Sequence, residues 1–291
     1  MTGVLKKAKW LLPIAVVAII WYADFYFESR QNLLVTFFDI GQGDAVFIEV
    51  PGGNQVLIDG GPSERILSKL GRAMPFWDRS LDLLILTHPH ADHLDGLFEV
   101  LKKYEVGMVL ESGANHSLAE YKEWQEMLIK KNIHTVYARA GQKIVLGGGA
   151  ELDVYYPFRN FTGESLKNQH DANVVARLKY GKNSVLLTGD AEKSAEYRLL
   201  WEAPKNPFFV LRSDVLKVGH HGSKTSSSGD FLKTVSPRWA VISVGDKNRY
   251  GHPHQEVLDR LSAVVSKIFR TDIDGDIKIE SDGKNLVLAP R

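Results

Sequence analysis

Thr87-His88-Pro89-His90-Ala91-Asp92-His93-Leu94-Asp95-Gly96 is the stretch that decides how this 291-residue chain is read. An apolar run, Leu81 to Leu86, leads into it and predicts a buried strand. A helical pattern starts near Asp92 and continues through Leu94, Leu97, Phe98 and Leu101, with Asp92 suited to cap it. Three histidines and Asp92 therefore crowd one strand-to-helix turn. His88 and His90 are two apart on extended chain and point the same way, while Asp92 and His93 address a second position beside the first. Imidazole and carboxylate donors suit Zn, with Mn or Fe as alternatives. Two adjacent cations clamp the attacking and leaving oxygens of a hydrolysis. A histidine-rich polar loop without metal is the plain alternative. Four ligand-type residues within six positions, however, have no packing use.

The stretch resembles the signature of the metallo-β-lactamase superfamily. That resemblance implies an α/β fold, a four-layered αββα sandwich with the metals at one edge. Phe38-Asp39-Ile40-Gly41-Gln42-Gly43-Asp44-Ala45, followed by Leu57-Ile58-Asp59-Gly60-Gly61, narrows the resemblance to the metallo-β-lactamase domain of ComEC-type competence proteins. It runs from about Leu33 to the C-terminus. It implies that Asp59 supports the metal-site loop by hydrogen bonding. It also implies that Asp190, delivered by the strand Ser184-Val185-Leu186-Leu187-Thr188 and the turn at Gly189, bridges the two metals. Asp95, standing where a glycine is common, is a second candidate for support of the ligands.

Two ligand positions stay open. Many superfamily members place a third histidine just before the strand Asn173 to Tyr180, where ComEC-like chains show asparagine, aspartate and serine. This chain offers His170, Asp171 and Asn168 there. Gly219-His220-His221-Gly222-Ser223-Lys224 supplies a histidine pair. One member completes the second metal site, and the other faces substrate, where it holds a phosphate oxygen or protonates a leaving group. Adjacency does not say which is which. Asp92, His220, His221 and His252 are thus the catalytic candidates. Ser223, Lys224 and Arg249 are candidates for substrate contact, the first two through a serine-rich loop able to take phosphate oxygens. His116 and His134 read as ordinary loop or surface residues.

The composition is that of a globular protein, 44% hydrophobic and 24% charged. A net charge of +1 gives no global basic field to advertise nucleic acid or acidic lipid. The absence of cysteine rules out disulfides and thiolate ligands, so any metal sits on histidine and carboxylate.

The N-terminus differs from the rest. Lys6, Lys7 and Lys9 precede an uncharged apolar run from Trp10 to Ala23. With Phe25-Tyr26-Phe27 it approaches the ~20 residues a helix needs to span a bilayer. Trp10, Trp21 and Tyr22 suit the interface, and the lysines put the N-terminus inside. A cleaved signal is disfavoured because Trp21 would occupy the small-residue position before a cut at Ala23. The expected organisation is a membrane anchor over residues 1–30, contacting lipid through residues 10–27, and a hydrolase domain over residues 31–291.

The function expected is a single-pass, membrane-anchored hydrolase with two divalent metals, Zn or Mn. It acts as a phosphodiesterase or nuclease on DNA outside the cytoplasmic membrane. The DNA element comes from the resemblance, not from charge. Open alternatives are a hydrolase of a small or cell-wall substrate, of phosphorylcholine esterase, lactonase or β-lactamase type, and a non-catalytic DNA-binding module. No protein partner is inferable.

Overall fold

The computed structural model describes residues 31–116 and 119–290, together with Pro13, Ile14, Val16, Val17 and Trp21. Apart from those five positions, the expected membrane segment over residues 10–27 lies outside the described residues. Among the described residues, no helix is long and apolar enough to cross a membrane.

Continuous apolar runs become central strands, and two sheets result. In spatial order the first holds β15 (Leu286–Leu288), β14 (Ile277–Ser281), β1 (Leu33–Phe37), β2 (Val46–Glu49), β3 (Gln55–Ile58), β4 (Ser80–Leu86), β5 (Glu105–Glu111) and β6 (His134–Tyr137). The second holds β13 (Lys267–Arg270), β12 (Trp239–Ile242), β11 (Val215–Lys217), β10 (Asn183–Leu187), β9 (Val175–Tyr180), β8 (Ala150–Tyr156) and β7 (Lys143–Gly147). Strand alternation explains why both faces are apolar. Leu83 and Ile85 of β4 meet Val185 and Leu187 of β10 in the core between the sheets, while Leu84 and Leu86 turn to the helical side.

Helices α1 (Arg65–Ala73), α2 (Ala91–Lys103) and α3 (Ala119–Lys130) cover the first sheet through Leu70, Leu97 and Trp124. Helices α4 (Lys193–Glu202), α5 (Gly229–Val235) and α6 (Gln255–Ser262) cover the second through Leu199, Phe231 and Leu261. The architecture is therefore helix, sheet, sheet, helix. The short strand β7 and the helix α5 were not anticipated from the sequence.

Strands β3 to β6 run parallel, as do β10 to β13. In such sheets ligands bind beyond the carboxyl ends of the strands. One close approach fixes that end. The Gly96 N–H of α2 donates to Gly61 O at 2.8 Å, and a Cβ on Gly96 would lie 2.0 Å from Gly60 O. Helix α2 starts at Ala91 with His90 in the capping position, so Asp92 lies inside the first turn rather than capping it. A carboxylate there is still favoured by the helix dipole.

Candidate metal centre

Four chain segments bring the donors together. Beyond the end of β4, His88 and His90 leave on extended backbone, and the first turn of α2 adds Asp92 and His93. A single 3-10 turn before β9 contributes His170. After β10, Gly189 at φ 50° bends the chain so that Asp190 points back; a Cβ there would lie 2.4 Å from Asn173 Oδ1. After β11 come His220 (φ 48°, ψ 48°) and His221 (φ 53°, ψ 22°), both left-handed. Non-glycine residues in such conformations cost about 1–3 kcal/mol each and persist where their surroundings over-determine them. Here the His220 N–H donates to Gly189 O at 3.2 Å, and Ser226 Oγ donates to Gly219 O at 2.7 Å. The buried Glu196 carboxylate accepts the N–H groups of Ser227 and Ser228.

The donors fall into two groups around Asp190 Oδ2. In one, a donor atom from each of His88, His90 and His170 lies within 4.8 Å of the others. In the other the same holds for Asp92, His93 and His221, with His221 Nε2 3.3 Å from Asp92 Oδ2. Asp190 Oδ2 lies 3.9 Å from His88 Nε2, 3.4 Å from His93 Nε2 and 3.5 Å from His221 Nε2. His220 Nε2 is 3.8 Å from the same oxygen. His93 Nε2, His221 Nε2 and Asp190 Oδ1 are buried without a hydrogen-bond partner among the described residues. Buried polar atoms are normally paired. Two of these atoms, His93 Nε2 and His221 Nε2, converge on Asp190 Oδ2 beside further imidazoles, a donor set that fits divalent cations.

The rings are aimed by neighbours on their far side, as ligand histidines require. Asp59 accepts the Thr87 N–H at 2.8 Å and the Thr87 hydroxyl at 2.7 Å, and its Oδ2 faces His93 Nδ1 at 2.8 Å. His221 Nδ1 lies 2.9 Å from Ser243 O, which leaves Nε2 turned to the cluster. Asn173 accepts the Asp190 N–H at 2.9 Å and donates to Thr188 O at 2.7 Å. Beneath the cluster, buried Lys217 ion-pairs with Asp44 and donates to Gly189 O at 2.8 Å.

Electrostatics divide the histidines. Burial foremost, helped by neighbouring imidazoles, lowers the pKa values of His88 and His90 and brings His170 to about 4. These three are neutral donors at pH 7. Burial also opposes charge on His93 and His221, but Asp190, with Asp59 and Asp92 around His93 and Asp44 beside His221, reverses it. His93 is held well above its usual range and His221 at about 10. Burial likewise opposes ionisation of Asp190, and His221 and His93 overcome it, holding its carboxyl well below the usual range. The surrounding carboxylates thus favour the charged form of both rings, as Lys217 does the charged form of Asp44.

A cavity of about 210 Å³ opens onto this cluster. Gln42, Tyr250 and His252 line it together with the donor residues. The His252 ring lies 5.7 Å from that of His220, and burial foremost, with His221 and His220 adding to it, lowers its pKa to about 4. Arg249 is exposed in an adjoining groove. His116 lies beside the cluster, its ring 6.2 Å from that of His90.

Other expected residues are not brought to the cavity. Asp171 does not line it; its backbone carbonyl accepts from the Tyr156 hydroxyl at 2.8 Å. Asp95 is half-buried without a hydrogen bond to the site histidines among the described residues. Ser223 Oγ lies 3.0 Å from Thr225 Oγ1, and Lys224 is exposed. The serine run is used internally, so it is a packed loop rather than a phosphate cradle. The sequence reading passed over Lys217, Asn173 and the role of Asp44. A lone lysine in the apolar run Val215-Leu216-Lys217-Val218 was the available signal, since a buried cation needs a partner.

Comparison with known proteins fits this geometry. A family model described as the metallo-β-lactamase superfamily matches residues 38–246. ComE operon protein 3 of Bacillus subtilis (strain 168) is 31% identical over 262 residues, 84% of this chain and 32% of that protein. Competence protein ComA of Neisseria gonorrhoeae is 30% identical over 288 residues, 94% of this chain and 36% of that protein. The chain spans about a third of the length of these curated relatives. Among solved structures, the metallo-β-lactamase fold protein YhfI from Bacillus subtilis aligns with a TM-score of 0.57 at 15% identity. The alignment covers 86% of this chain and 100% of that one, a likeness of fold alone.

Proposed function

This chain belongs to the metallo-β-lactamase superfamily, and from that premise we propose that it is a membrane-anchored phosphodiesterase that cleaves DNA outside the cytoplasmic membrane with two divalent cations, Zn or Mn. The observation that carries the proposal is the pair of donor groups flanking Asp190 Oδ2. His88, His90 and His170 would hold one cation and Asp92, His93 and His221 the other, with Asp190 within reach of both. On this reading His170 rather than Asp171 would be the third donor, and His221 rather than His220 would complete the second group. When bound, the cations supply Lewis acidity at phosphorus and an activated water at neutral pH.

The remaining residues bind and move protons. Water adds to phosphorus opposite the leaving oxygen, that P–O bond breaks, and the leaving oxygen takes up a proton. His220 and His252 line the cavity with their rings 5.7 Å apart and hold phosphoryl oxygens through ring N–H groups. DNA as substrate rests on the resemblance to ComEC-type competence proteins, with which the likeness to a competence protein of Neisseria gonorrhoeae agrees. Residues 10–27 anchor the chain, with Lys6, Lys7 and Lys9 on the inner side.

The test is cleavage of labelled single- and double-stranded oligonucleotides by the full chain with Zn or Mn, against His88→Ala. Metal-dependent cleavage that falls at least 100-fold in the variant is expected, at roughly the scale of losing one metal ligand. No cleavage with either metal, or an unimpaired variant, rejects the proposal. Turnover of a chromogenic ester or lactone without cleavage of DNA moves the assignment to a small substrate.

A further inference from the structure

Beside the metal cavity lies a second groove of about 450 Å³, lined by Ile40, Pro62, Ala91, Arg249 and Tyr250. It is continuous with the cavity, because Gln42, Asp92 and Tyr250 line both. Its volume falls in the ~300–1,000 Å³ range of small-molecule sites. Its chemistry differs from that of the cavity: Ile40, Pro62 and Ala91 give it aliphatic walls beside the Tyr250 ring and the Arg249 cation, and Asp92 is the one carboxylate where it meets the cavity. Tyr250 is 49% exposed, and its ring stacks on His252 at 5.6 Å and 23°. His252 and the Arg249 guanidinium, 5.0 Å from the ring centroid, thus both pack against the ring, and about half of the residue stays exposed. Arg249 donates to the Tyr250 hydroxyl at 2.9 Å and forms no ion pair among the described residues.

We propose that this groove binds an unpaired nucleobase next to the scissile phosphate, stacked on Tyr250 in place of the Arg249 guanidinium, which moves from the ring to the adjoining backbone phosphate. This rests on the phosphodiesterase reading above and adds the form of substrate to it. A phosphodiester seated at Asp190 must send one flanking nucleoside out of the cavity, and the groove is a continuous exit. An aromatic ring recognises any base by its face, and a cation beside it takes the phosphate. A base inside a duplex has both faces covered, so it enters only when unpaired. The site therefore selects single strands and frayed ends.

The experiment uses the full chain with Zn or Mn and three oligonucleotides of one length: a normal single strand, the same strand made abasic, and a blunt duplex. The normal strand is expected to be cleaved with a kcat/KM about 10- to 100-fold above the other two, the scale of one stacked base. Tyr250→Ala is expected to lose a similar factor on the normal strand, mainly through KM, and at least tenfold less on the abasic strand. Tyr250→Trp is expected to restore the preference. Equal cleavage of all three substrates overturns the proposal while leaving the phosphodiesterase reading intact. So does an equal loss in Tyr250→Ala on normal and abasic strands, which marks a merely structural role. Cleavage of none of them overturns both.

Discussion

Lys217→Met tests the charge balance of the site. Lys217 sits 1% exposed at the tip of β11, ion-paired with Asp44, 2.8 Å from Gly189 O and 3.8 Å from Asp190 Oδ1. Burial alone raises the pKa of Asp44, and Lys217 foremost, then His221, brings it below the usual carboxylate value. Methionine keeps the length of the side chain but removes the charge and the donor. It leaves a buried carboxylate and the Gly189 carbonyl short of a partner. Breaking a buried pair this way costs about 3–5 kcal/mol. At ~2–4 °C per kcal/mol for a domain of this size, the midpoint should fall by about 6–20 °C. The assay is calorimetry of the full chain in detergent, once in chelator and once with saturating Zn. The full drop is expected in chelator and a smaller one with Zn, whose charge compensates Asp44 and Asp190. A variant that melts within about 2 °C of wild type in chelator would refute the role given to Lys217, since that is less than the ~1 kcal/mol a single net hydrogen bond supplies.

Two further outcomes follow from the same geometry. The folded pKa of His221, about 10, exceeds its unfolded value near 6.5, so its stabilisation is complete below about pH 6.5 and is lost as the pH rises towards 10. Metal binding needs the deprotonated ring and strengthens over the same range; melting curves should therefore fall with pH in chelator and rise with pH in Zn, and parallel curves would contradict this. Asp59→Asn replaces the carboxylate that faces His93 Nδ1 and should weaken metal affinity about 10- to 100-fold with little change in fold, as read by competition with a chromogenic chelator; unchanged affinity would deny Asp59 its aiming role.

The extent to which the sequence revealed the site depends on how local each signal is. The crowding at His88 to His93 and the apolar delivery of Asp190 are written in consecutive residues; the first supplies donors to both groups, and the second places Asp190 between them. The choice between His220 and His221 is not local. Both backbones are left-handed, which turns neighbouring rings to different partners, and nothing in the residue types encodes that φ. The Asp44 to Lys217 pair joins positions far apart in the chain, so each half reads alone as a turn carboxylate or an odd strand lysine. Strand β7 escaped notice because it sits at a sheet edge with half-exposed residues and weak alternation. The serine run misled for the opposite reason. Hydroxyl-rich composition suggests a ligand loop, yet Glu196 and Arg260 bind its backbone from within the fold.

Metal content of the purified full chain tests the central claim most directly. After dialysis against Zn or Mn, wild type should retain two equivalents per chain by elemental analysis, and Asp190→Asn one or fewer, because both donor groups depend on the same carboxylate oxygen. A wild type that keeps no divalent metal, or an Asp190→Asn variant that keeps two, would contradict the account.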